Sequence, residues 1–71
     1  MRELTQAERD GVERLIDSTG LAAVLAAVRD IANEKAEHIR EAWQDASLAR
    51  TWDAAGSAIG TAQAKVHRAG L

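Results

Sequence analysis

Residues 48–66 read LARTWDAAGSAIGTAQAKV, and Leu48, Trp52, Ala55, Ile59, Ala62 and Val66 recur within them at alternating spacings of four and three. This is the repeat of a helix that packs one apolar seam against another helix, and the mix of large and small side chains points to close approach. Gly56 and Gly60 lie beside the stripe, although a glycine costs a helix interior about 1 kcal/mol relative to alanine. A helix that keeps both is expected to hold a neighbour near its backbone. Trp43, at the other side of the preceding break, joins these six residues as a candidate interface anchor, because tryptophan buries a large rigid surface and keeps a donor at its edge.

Working outward, Asp45 is placed to cap a helix that begins at Ala46 and runs to about Arg68, with Gly70 as terminator. A continuous helix from 21 to 68 is the alternative. The segment from Leu21 to about Gln44 reads as a second helix: Leu21, Leu25, Val28, Ala32, Ala36, Ile39 and Trp43 follow a period near 3.6, and Val24 and Ile31 widen the face. Its first two turns are apolar nearly all round, through Ala22, Ala23, Ala26 and Ala27, which predicts burial from more than one side. Thr5 and Glu8 have the form of a capping box, so a first helix is expected from Gln6 to about Ser18, with Val12, Leu15 and Ile16 as its stripe and Gly11 as a weak point. Gly20 supplies its C-cap, and Ser18 or Thr19 could cap the next helix. The expected fold is all-α and a single domain over 1–71: a short N-terminal helix and two longer antiparallel helices in a hairpin, about 6–18, 21–44 and 46–68.

Seventy-one residues without cysteine leave neither disulfides nor thiolate metal sites to support so small a core. Sixteen of the apolar residues are alanine, and Trp43 and Trp52 are the only aromatics. Self-association is the remaining support, so the hairpin is expected to complete its core by homodimerisation. Nine basic against eleven acidic residues, with a pI near 5.6, argue against a nucleic-acid surface. Gly20 to Val28 is the longest run without a charged or hydroxyl residue, well short of the ~20 residues of a membrane span. No apolar signal segment follows the first residues, so a cytoplasmic location is expected.

The densest polar cluster is Glu34, Lys35, Glu37, His38, Arg40, Glu41 and Asp45. Glu34, His38 and Glu41 share a helical face at spacings of four and three, which makes them a possible divalent-metal set across a dimer axis. Di-iron helices, however, place a glutamate three residues before the histidine, where this chain has Lys35. A solvated face with Glu34, His38, Arg40 and Glu41 free for a protein partner is the plainer reading, with no metal or cofactor expected. His38 borders the apolar stripe, so a pH-sensitive contact is conceivable there; His67 reads as exposed. Ser18, Ser47 and Ser57 fit helix ends or close packing rather than a base-activated nucleophile, so no catalytic residue is assigned and no enzyme activity is expected. Leu15 to Val28 has a helix-turn-helix outline, but Ala22, Ala23, Ala26 and Ala27 would face the bases, which excludes sequence reading.

Gly20-Leu21 to Val28, Lys35-Ala36-Glu37-His38 and Trp43-Gln44-Asp45 to Trp52 give the chain a resemblance, over roughly residues 12 to 54, to a group of small uncharacterised bacterial helical proteins. Those proteins share Gly-Leu, Lys-Ala-x-His and Trp-Gln-Asp patterns, often with proline after that aspartate, where this chain has Ala46. The resemblance implies a helical fold and no particular activity. In size and composition alone the chain is also similar to phage and mobile-element inhibitors of host nucleoprotein complexes, the anti-CRISPR type, which is the alternative to a general protein-binding module.

Overall fold

The computed structural model describes all 71 residues, and all of its regular secondary structure is helical. Helix α1 spans Gln6–Thr19, α2 spans Leu21–His38 and α3 spans Ala46–Arg68, and a π-helical turn at Ile39–Trp43 continues α2. No helix is long and apolar enough to cross a membrane.

Local chemistry accounts for each boundary. The Thr5 hydroxyl accepts from the Glu8 N–H at 3.2 Å, and the Glu8 carboxylate accepts from the Thr5 N–H at 2.8 Å, which closes the expected capping box. Gly20 adopts φ 96° and ψ 153°, a conformation that L side chains avoid. Ser18 and Thr19 do not cap α2: both hydroxyls donate back to the Leu15 carbonyl, at 3.3 and 2.7 Å. The first turn of α2 is instead tied by the Ala22 N–H donating to the Leu71 carbonyl at 3.3 Å.

The break at Asp45 is present, and α2 prepares it by widening. The Gln44 N–H reaches five residues back to the Ile39 carbonyl, and Gln44 itself is left-handed at φ 53°. Asp45 then accepts from the Leu48 N–H at 2.9 Å and caps α3. The far end closes as a Schellman motif, with Gly70 at φ 83° and the N–H groups of Gly70 and Leu71 bound to the carbonyls of His67 and Val66.

Contacts between α2 and α3 run in opposite senses along the two helices. Arg40 pairs with Asp53, Lys35 lies over Trp52, Ala32 and Asn33 face Gly56, and Arg29 faces Gly60. Besides Trp52 at the edge of the contact, the residues of α3 set against α2 are therefore Gly56 and Gly60, and Ala49 of the same helix is fully buried. A Cβ on Gly56 would lie 3.7 Å from that of Ala32, and one on Gly60 3.4 Å from Cδ of Arg29. At about 100° per residue, the Leu48–Val66 stripe is turned roughly a quarter of the way around α3 from this contact. Trp52, Ala55, Ile59 and Val66 are half-buried, and Leu48 and Ala62 are exposed.

The core is correspondingly small. Only Ala22, Ala32, Ala36, Ile39, Ala49 and Gly56 are buried. Helix α2 packs against both α1 and α3; over its first two turns Ala22 is buried and Leu21, Val24, Leu25 and Ala26 are half-buried, while Ala23, Ala27 and Val28 stay exposed. Helix α1 buries none of its residues and packs against α2 alone. The radius of gyration is 13.8 Å, with extents of 38 × 30 × 15 Å, against about 11 Å for a compact chain of this length.

Candidate protein-contact surfaces

The π-helical turn positions the first surface. Trp43 follows His38 by five positions, an interval that an α-helix would place on different sides. The wider turn brings them together, and their rings meet edge to face with centroids 6.3 Å apart. Trp43 is thereby carried out of the α2 seam and is 65% exposed. Beyond the break, Leu48 and Trp52 return toward the same place on α3. A cleft of about 350 Å³ results, lined by Lys35, His38, Ile39, Trp43, Leu48 and Trp52. The Lys35 ammonium lies 5.9 Å from the centre of a Trp52 ring, within range for a cation–π contact. The walls are thus apolar, with Lys35 and His38 as their polar members.

The structure separates the residues expected on the polar face. Arg40 is not free, because its guanidinium pairs with Asp53 of α3. Asp45 is occupied as a helix cap. Glu34, Glu37 and Glu41 are exposed and form no ion pair. Within one chain, no three His, Cys, Asp or Glu side chains stand where they could hold a metal ion. Glu41 lies in the π turn, so the α-helical spacing that would set it beside His38 does not apply.

A second surface follows the open flank of the two long helices. Val28 sits seven residues before Lys35, and Ile59 and Val66 sit seven and fourteen after Trp52. Heptad spacing keeps each set on one side of its helix, so the apolar flank that begins at the cleft continues along α2 and α3. Lys35, His38 and Ile39 are the members of the cleft that the candidate interface lacked, His38 having been expected on the partner face. Ile39 carries a signal in the α2 periodicity. Lys35 has none, because only the fold brings it to Trp52. Comparison with protein-family models, curated proteins and solved structures finds no match.

Proposed function

We propose that the chain is a non-enzymatic protein-binding module that works as a homodimer, its α2–α3 hairpin completing a core with a second copy. The observation that carries this reading is surface area. The chain exposes 5416 Å², whereas a folded monomer of its mass, 7.6 kDa, exposes about 4,300 Å² on the usual scaling. The surplus, about 1,100 Å², exceeds the roughly 800 Å² that each partner gives up in a standard interface. Exposed Val28, Ile31 and Leu48 and half-buried Trp52, Ile59 and Val66 supply the apolar part of it.

With that flank covered, the face bearing Glu34, Glu37 and Glu41 stays open. Its unpaired carboxylates suit a protein partner that presents lysine or arginine, and a cytoplasmic location fits the same reading. Light scattering on purified protein tests the proposal. A mass of two chains at micromolar concentration is expected, and a well-folded monomer there overturns it.

A further inference from the structure

We propose that two copies pair through antiparallel α3 helices, about a two-fold axis that passes between Ala55 and Ile59. The inference rests on the homodimer reading and adds its register. The stripe Leu48, Trp52, Ala55, Ile59, Ala62, Val66 has intervals of four, three, four, three and four, which read the same in both directions. A two-fold interface must be self-complementary, because residue i meets j wherever j meets i. Reversing one copy about the midpoint of the stripe sets Leu48 against Val66, Trp52 against Ala62 and Ile59 against Ala55. The two largest side chains of the stripe then face alanines, which is how packed layers interdigitate.

The parallel arrangement is worse on each count. It would set Trp52 against its own copy and Ala55 and Ala62 against theirs, alternating collision with void. It would also bring the two Lys65 ammonium groups together beside the seam. Lys65 lies eight residues from the axis, so the antiparallel pair holds its two copies about 24 Å apart at 1.5 Å per residue. The other neighbours of the stripe, Thr51, Gly56, Ala58 and Gln63, are uncharged, as the centre of an interface requires.

Two features of the structure support the same axis. Helix α1 makes no contact with α3, so it does not occupy the stripe. Gly56 faces Ala32, so an axis between Ala55 and Ile59 also runs level with Ala32. Val28, one turn away on α2 and 42% exposed, comes under the same cover.

The chain has no cysteine, so single-cysteine variants report the register directly. Leu48→Cys and Val66→Cys are oxidised separately and as a mixture, and the covalent dimer is read on a non-reducing gel. A disulfide needs Cβ atoms within about 3.5–4.5 Å, so the mixture is expected to cross-link and each variant alone to remain unlinked. Ala55→Cys mixed with Ile59→Cys is expected to do the same, and it carries the test if Leu48→Cys loosens the start of α3. Light scattering of the reduced variants checks that they still pair. A dimeric mass with no cross-link in either mixture overturns the register and leaves the homodimer standing. Cross-linking of Leu48→Cys alone and of Val66→Cys alone shows a parallel pair and overturns it too. A monomeric wild-type chain removes both proposals.

Discussion

At Glu8, three donors converge on one carboxylate. Arg2 grips both oxygens, at 2.7 and 2.9 Å, and the Thr5 N–H adds a third bond at 2.8 Å. Arg2 first, then the bonds to Thr5, hold the carboxyl down at about 2 from an ordinary value of 4.5. A group whose folded pKa is depressed contributes stability above its unfolded pKa and loses it as pH falls through the folded one. The start of α1 should therefore loosen as pH drops from about 4.5 toward about 2. A carboxyl titration by NMR checks this; a Glu8 midpoint in the ordinary range would contradict the geometry, and Glu8→Gln should erase this part of the pH response. Glycines divide in a similar way by what surrounds them. A Cβ at Gly11 would meet nothing within 4 Å, so Gly11→Ala should stabilise the protein by up to about 1 kcal/mol through helix propensity. Gly56→Val pushes branched bulk against Ala32 and Asn33 and should cost about 1–3 kcal/mol as overpacking. Thermal denaturation of the two variants should move in opposite directions.

Between elements, the join of α2 to α3 depends on Asp45. Removing its cap in Asp45→Ala should cost about 0.5–2 kcal/mol, seen as a lowered Tm with the helical spectrum retained at low temperature. Helix α1, which buries nothing, should lose amide protection well before α2 and α3 in hydrogen exchange; equal protection throughout would show that something else covers it. Helix ends were legible in the sequence because their causes are local: Thr5 with Glu8, Gly20, Asp45 and Gly70 each act within a few residues. The π turn was not legible, since a widened turn needs only a bond from Gln44 to Ile39 and leaves no spacing of its own in advance. The face that α3 gives to α2 was legible in part, since Gly56 and Gly60 called for a close neighbour and do face Ala32 and Arg29. Leu48, Trp52, Ile59 and Val66 form a louder pattern than Ala49, Gly56 and Gly60, yet two helices approach most closely where their side chains are smallest.

Over the whole molecule, an alanine core and a surplus of surface are the grounds of the proposed dimer. The two surfaces differ in how far the sequence revealed them: the heptad stripe is visible in spacing alone, whereas the cleft joins Lys35 to Trp52 across seventeen residues. Association should make the melting temperature rise with protein concentration. Ile59→Asp places a charge in the stripe and should cost several kcal/mol, because a buried unpaired ion keeps most of its desolvation penalty. A monomeric mass and a markedly lower Tm are expected, and an unchanged Tm would show the stripe to be open to water. The placement of the two indoles has one further result. With no tyrosine or phenylalanine in the chain, all near-ultraviolet absorption and emission comes from Trp43, which is mostly exposed, and Trp52, which is half-buried on the stripe. Dilution should thus move the emission of one fluorophore to the red and leave the other nearly unchanged, so the protein carries its own optical gauge of assembly.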